Sequence, residues 1–382
     1  MAKDARVRII HIITGLNQGG AEAMLFKILP HLKSRFDIHV VSLMDEGVYG
    51  GKIKENDISL NCLYMRRGEF MGGHLLRLRT LLKRIQPDII QSWMYHSNLI
   101  ASVVRMLIMS KPAIAWNVRH SISDLSHERS MTRQVIRANR FLSRGVDRIV
   151  YNSRISREQH ERFGFAPENG LIIPNGIDVN CFIPSIETRW RVRSELGISE
   201  DAVVVGHVAR MHPMKNHLGF LRVAVNLAKR YIYAHFVLVG NDVTLSSGSL
   251  SALIPEEVRG RFHLLGSRTD VSELMSVFDV FCLSSVWGEA FPNVLGEAMA
   301  TEVPCVTTNV GDCALIIGNT GVVVPPWDED ALLAGIESLL KMSSEKRRKL
   351  GERARARIEA NYTLRGIVEK YVELYEELAL KN

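Results

Sequence analysis

Short apolar runs alternate along this chain with stretches whose apolar positions recur at helical spacing. Runs at 8–13, 38–43, 87–92, 113–121, 148–153 and 171–178 read as strands, and the stretches to residue 32, over 68–85 and over 129–148 read as helices. The same alternation restarts at 202–208 and continues through 237–240, 262–266, 279–283, 303–307 and 321–325, with helices over 292–300 and 331–340. A strand followed by a helix, repeated, predicts a doubly wound parallel sheet. Two such series predict an α/β protein of two Rossmann-like domains, each a doubly wound parallel sheet. The polar break at Asn361-Tyr362-Thr363 sets off a last helix, 364–380, whose stripe of Ile367, Val368, Tyr371, Leu374, Tyr375 and Leu378 needs a partner. That helix, within 363–382, is expected to pack back on the first domain.

The polar segments between these elements hold the chemistry, above all 284–300. Strand 279–283 runs into Ser284-Ser285-Val286-Trp287-Gly288-Glu289-Ala290, and Phe291-Pro292-Asn293-Val294-Leu295-Gly296-Glu297 opens a helix. Pro292 is expected in the first turn, where its missing N–H costs nothing, so that the next N–H groups form an anion site. Glu289 then lies in the loop, and Glu297 about 7 Å along the helix axis at 1.5 Å per residue. A diphosphate on the helix end would have a carboxylate on each side. That suits a nucleotide sugar, with Glu297 accepting from ribose hydroxyls and Glu289 from sugar hydroxyls. Two glutamates at this spacing also occur simply as partners of a helix dipole.

Other loops add charge and space. Arg210 and Lys215 stand five apart in a loop with Pro213, where both cations can converge on a diphosphate leaving group. Gly19 and Gly20 lie between the first strand and its helix, where backbone can approach a ligand closely and they are expected to bind the donor, although the Gly-x-Gly-x-x-Gly fingerprint is absent. His120 follows the strand at 113–118, at the sheet edge that holds ligands in such folds. His207, His212 and His217 are evenly spaced, but with one in a strand and two in a loop they make poor metal ligands. Asp328-Glu329-Asp330 spells an Asp-x-Asp, yet it opens a helix and reads as cap and dipole partner.

Glu289, seven residues, Glu297, with Phe291-Pro292-Asn293-Val294 between and Glu297-Ala298-Met299-Ala300 after, resembles the signature of retaining glycosyltransferase family 4, of GT-B architecture. Arg210 and Lys215 occupy the places of that family's Arg and Lys. The resemblance implies transfer of a sugar from a nucleotide-diphosphate sugar, a UDP-sugar by expectation, to a saccharide or lipid-linked acceptor in glycan or polysaccharide synthesis. It implies two Rossmann-like domains facing across a cleft, at 1–185 and 186–362, with the donor held mainly by the second. Glu289 would touch the donor sugar, Glu297 the ribose, and Val294 and Leu295 the diphosphate; the Arg268 loop would hold the base, mostly through backbone groups. A residue of the His120 loop reaches sugar or acceptor in that family. The chain departs from the family at Thr301-Glu302, where a small residue and Gly commonly precede Val-Pro, and it lacks the Lys-x-Gly-Gly-Leu start of glycogen synthases. An epimerase of the same fold, or a non-catalytic sugar-nucleotide-binding protein, remains an alternative.

Composition bounds these readings. The chain has 382 residues, 46% hydrophobic and 23% charged, an ordinary globular balance. Five scattered cysteines without a Cys-x-x-Cys pair read as small core residues in a reducing compartment. The apolar stretch 99–109 carries Arg105 and is about half a membrane span. No signal-peptide pattern opens the sequence, so a cytoplasmic location is expected. Residues 1–185 hold 26 Lys+Arg against 16 Asp+Glu, while the remainder is slightly acidic. Without zinc-finger or RNA-recognition motifs, that excess suggests an anionic membrane surface or polyanionic substrate rather than nucleic acid. Leu75, Leu76, Leu78, Leu81, Leu82 and Ile85 interleaved with Arg77, Arg79, Lys83 and Arg84 fit either a membrane-surface helix or an ordinary surface helix. No cofactor or metal is expected, the phosphate charge being met by two cations and a helix end.

Overall fold

The computed structural model describes residues 6–17, 19–66, 72–122 and 124–381. Gln18 of the glycine loop, Arg67, and the start of the helix expected from residue 68 lie outside the described residues.

The chain forms two units, Met1–Gly176 with Leu364–Asn382, and Ile177–Thr363. The first is built on strands β1 (Arg8–Ile13), β2 (Asp37–Ser42), β3 (Ser59–Cys62), β4 (Ile89–Trp93), β5 (Ala113–Val118), β6 (Arg148–Tyr151) and β7 (Gly170–Ile172). They pair in the order β3-β2-β1-β4-β5-β6-β7, all parallel. β4 and β5 are buried along their whole length, as strands covered by helices on both faces must be. One face carries Ile9 and Ile13 against Met24, Leu25, Ile28 and Leu32 of helix Gly20–Lys33, together with Ile367, Tyr371, Leu374 and Tyr375 of helix Leu364–Ala379. The opposite face carries Ile10 and Ile12 against helices Gly72–Ile85, Met94–Met106 and Ser130–Leu142. Leu78, Leu81, Leu82 and Ile85 face this core, and Leu76 is 61% exposed among the arginines.

The second unit has β8 (Val203–Val208), β9 (Ala234–Val239), β10 (Phe262–Leu264), β11 (Val280–Leu283), β12 (Cys305–Thr308) and β13 (Gly321–Val324), in the parallel order β10-β9-β8-β11-β12-β13. In each sheet the order reverses once, between β1 and β4 and between β8 and β11. At such a point the loops leaving adjacent strands diverge, and the crevice at their carboxyl ends is where α/β sheets take ligands.

The chain changes unit earlier than residue 185. Ile177 donates its N–H to Tyr362 O at 2.8 Å and is fully buried in the second core. Arg355 donates to the carbonyls of Phe182 at 3.0 Å and Val179 at 3.2 Å, so residues 177–185 are held by long-range hydrogen bonds that no local pattern records. Glu302 takes φ +60°, the left-handed conformation a glycine would adopt freely, so the departure at Thr301-Glu302 is absorbed as backbone strain.

Candidate active site

Residues far apart in sequence meet at the β8/β11 reversal. After β8 the chain passes Ala209 and Arg210 and forms a short 3-10 turn, Pro213–Lys215, in which His212 Nδ1 accepts from the Met214 N–H at 3.2 Å. Asn216, at φ +52°, closes the turn and caps helix His217–Arg230 by accepting from Gly219 N–H at 3.2 Å. Lys215 is thus fixed on both sides. Arg210 is exposed and forms no ion pair among the described residues.

The loop after β11 is bonded to this turn. Ser284 Oγ donates to Lys215 O at 2.8 Å, and Val286 N–H donates to Met214 O at 2.8 Å. His207 of β8 shares a 3.1 Å hydrogen bond with Ser284 Oγ through Nε2. Glu289 is 7% exposed, and its Oε1 takes both the ammonium of Lys215 and a 2.6 Å hydrogen bond from Ser285 Oγ. A charge so deeply placed needs a partner and hydrogen bonds, and it has both. Behind the loop Gly311, at φ +59°, lies so close that a Cβ would stand 2.4 Å from Glu289 O, and Asp312 N–H donates to Ala290 O at 2.9 Å.

Helix Asn293–Ala300 follows, with Pro292 at its cap position rather than inside the first turn. With φ −74° and ψ 112° Pro292 is extended, and its side chain has no oxygen to cap the helix. Leu295 N–H bonds back to Pro292 O at 3.2 Å. Phe291 packs edge-on to Tyr362 with ring centroids 5.3 Å apart, and Leu295 is fully buried. These contacts anchor the start of the helix, leaving Asn293 and Val294 at its partly exposed end. Glu297 is 9% exposed, in the second turn.

The remaining residues lie elsewhere. Arg268, after the edge strand β10, is turned back onto Asp270, with Nε donating to Oδ1 at 2.8 Å, so its side chain is engaged locally. Gly19 caps helix Gly20–Lys33 in extended conformation, and both glycines are exposed in the first unit. His120, also in the first unit, pairs through Nε2 with Glu128 Oε1 at 2.7 Å. His207 and His217 lie ring to ring at 4.8 Å, His217 Nε2 bonding Ala209 O at 3.0 Å. Burial lowers both pKa values, His217 to about 4, and they serve as a neutral prop under the loop. Among the described residues no three His, Cys, Asp or Glu are grouped to hold a metal. Asp328 caps its helix by accepting from Ala331 N–H at 2.8 Å. Sequence reasoning missed Ser284, Ser285 and Gly311; the serine pair at the end of an apolar strand was the available signal.

Comparison with known proteins gives a consistent picture. The family model described as Glycosyltransferase Family 4 matches residues 18–180, and Glycosyl transferases group 1 matches residues 202–342. EpsF of Bacillus subtilis (strain 168), which bears a glycosyltransferase name, is 26% identical over 333 residues, 79% of each chain. The UDP-Gal:alpha-D-GlcNAc-diphosphoundecaprenol alpha-1,3-galactosyltransferase of Escherichia coli is 22% identical over 100% of this chain and 98% of its own. Among solved structures, Anabaena Alr3699/HepE in complex with UDP superposes with a TM-score of 0.83 at 20% identity, over 97% of this chain and all of that one.

Proposed function

This chain belongs to glycosyltransferase family 4 and has the GT-B fold of two Rossmann-like domains, and from that premise we propose that it transfers a sugar from a UDP-sugar, with retention, to a saccharide or lipid-linked saccharide. The observation that carries the reading is the constellation at the β8/β11 reversal: Lys215 and Glu289 locked together, Arg210 five residues before Lys215 in the same loop, and a helix end without a side-chain cap. A diphosphate on that helix end meets two cations and oriented N–H groups. Glu297, one turn further, accepts from the ribose hydroxyls, and Glu289 from hydroxyls of the donor sugar. The Arg268 loop takes the base through its backbone.

In the reaction the bond from the anomeric carbon to the diphosphate oxygen breaks and its electron pair leaves with the phosphate. Arg210, Lys215 and the N–H groups near Val294 and Leu295 stabilise that developing charge. The acceptor oxygen forms the new bond on the face being vacated and gives its proton to the leaving phosphate oxygen. The first unit receives the acceptor, with Gly19 and Gly20 bringing backbone close to the donor and His120 reaching the donor sugar or the acceptor. No divalent metal is required in this scheme, because the leaving group's charge is met by protein groups. The UDP complex of HepE and the galactosyltransferase name of the Escherichia coli relative favour uridine donors and a diphosphate-linked acceptor. The test is mass spectrometry of products from UDP- and GDP-sugars offered with lipid-linked acceptors. Donor isomerisation without acceptor, and no transfer product, would replace this reading with an epimerase.

A further inference from the structure

At the carboxyl end of β5 stands a guanidinium to which no carboxylate is hydrogen-bonded among the described residues. Arg119 donates through Nη1 to Asn117 Oδ1 at 3.2 Å and Tyr371 OH at 3.5 Å, and through Nη2 to Asn175 Oδ1. All three acceptors are neutral. Of the five N–H groups of an arginine these bonds use three, and the buried Nε has no partner. The plane lies over Trp93, with Cζ 5.3 Å from the ring centroid. Burial lowers the pKa of the group, against the opposing fields of Tyr371 and Glu22. Glu22 acts only through space, with no ion pair to Arg119 among the described residues. A cation set this deeply with no carboxylate bonded to it is costly, and an incoming anion that bonds it relieves that cost.

The surroundings are open on the Gly20 side, while the Glu22 carboxylate lies against Gly19 at the cap of the same helix. Arg119 itself remains partly exposed, and Trp93 ends β4 at the β1/β4 reversal of the sheet. Gly20 opens helix Gly20–Lys33 beside that reversal, and a Cβ built on it meets nothing within 4 Å. Met94, next to Trp93, is held at φ +71°, a conformation that a side chain of its size rarely takes and that gathers at functional sites.

We propose that Arg119, with the exposed start of helix Gly20–Lys33, binds a phosphate or diphosphate group carried by the acceptor; the word acceptor rests on the transferase reading above, the anion site does not. Trp93 is its floor, and Asn117, Asn175 and Tyr371 hold the guanidinium fork in place. Arg119 then sets specificity for acceptors whose sugar is linked through phosphate.

The probe is inorganic pyrophosphate, titrated calorimetrically into the full chain carrying Arg210→Ala and Lys215→Ala, so that the second unit's cations do not contribute. Binding is expected, weakened about tenfold or more by adding Arg119→Gln. Gly20→Asp, placed in open space at a helix start that favours acids, is expected to weaken it about threefold by repulsion without cost to the fold. It decides the matter if Arg119→Gln does not fold. No pyrophosphate binding in the parent, or equal binding in these variants, overturns the site. In turnover, Arg119→Gln should raise KM for a diphosphate-linked acceptor while UDP affinity stays unchanged. Weakened UDP affinity with an unchanged acceptor KM would assign the anion to the donor and overturn the acceptor role. The pyrophosphate result needs no sugar transfer, so failure of the site and failure of the transferase reading are read separately.

Discussion

Lys215 and Glu289 lie 74 residues apart and share one carboxylate oxygen with Ser285, so each is placed by the others. Lys215→Ala removes the group proposed to stabilise the leaving phosphate and leaves Glu289 buried without its cation. We expect kcat to fall about a hundredfold for Lys215→Ala and likewise for Arg210→Ala, the scale of losing one oxyanion-type donor. Glu297→Ala should act differently, chiefly weakening UDP binding; an unchanged UDP affinity by calorimetry would remove its ribose role. Buried histidines give a second residue-scale expectation. Burial holds His11 and His160 near a pKa of about 3 and His217 near about 4. Unfolded, each takes up a proton below about 6.5 that the folded chain refuses. Their contribution to stability is therefore complete above that pH and is lost as pH falls toward 3 to 4, at about 1.4 kcal/mol per pH unit for each group. Urea unfolding between pH 7.5 and 5 should show this slope, and His11→Gln, which keeps an acceptor for the indole N–H of Trp93, should reduce it by one proton.

At the scale of elements, the glutamate loop depends on a neighbour it never meets in sequence. Gly311→Ala forces a Cβ against Glu289 O and puts a side chain at φ +59°. The left-handed backbone alone costs about 1–2 kcal/mol. A thermal-shift assay should register that loss together with reduced transfer; full activity would show that the loop adjusts freely. Helix Leu364–Ala379 completes the first unit's core, with Tyr371, Leu374 and Tyr375 each no more than 2% exposed. Leu374→Ala should cost about 2–5 kcal/mol, seen as earlier unfolding of the first unit. The apolar stripe of this helix was legible in the sequence because its period is local. Strand β3 was not: Ser59–Cys62 lies at the sheet edge with one strong apolar residue, and edge strands need little hydrophobic pattern.

At the scale of the whole molecule, charge rather than shape suggests where it works. Residues 1–185 carry 26 Lys+Arg against 16 Asp+Glu, and exposed apolar side chains such as Leu76, Met131 and Phe141 lie on the basic helices. No helix of the described residues is long and apolar enough to cross a membrane. This combination fits attachment to an anionic surface and acceptors embedded there. Sedimentation with anionic vesicles at low salt, lost at high salt and not seen with neutral vesicles, is the expected result. Negligible sedimentation with both vesicle types would leave the arginines as an ordinary solvated face. Transfer should also persist in excess chelator; activity abolished there and restored by magnesium would require a metal in the reaction.

What the sequence by itself determined is whatever repeats over short range. The alternation of apolar runs and helical stripes carried the two parallel sheets, and Glu289 to Glu297 carried the strand, loop and helix proposed above to hold the donor. Arg210 and Lys215 were visible because charge in a polar loop has no packing reason to be there. Only the tertiary structure decided which loops meet. Adjacency of β8 and β11 bonds Ser284 to the Lys215 turn, and Gly311 reaches Glu289 from the loop after β12. The boundary between units falls at Gly176–Ile177, set by hydrogen bonds to Tyr362 and Arg355 from the far end of the chain. Arg119 looks in sequence like any strand-end arginine, and that its bonded partners are all neutral is visible only once Asn117, Asn175 and Tyr371 surround it. Periodicity is a property of neighbours in the chain, whereas charge compensation is a property of neighbours in space, and folding settles the second.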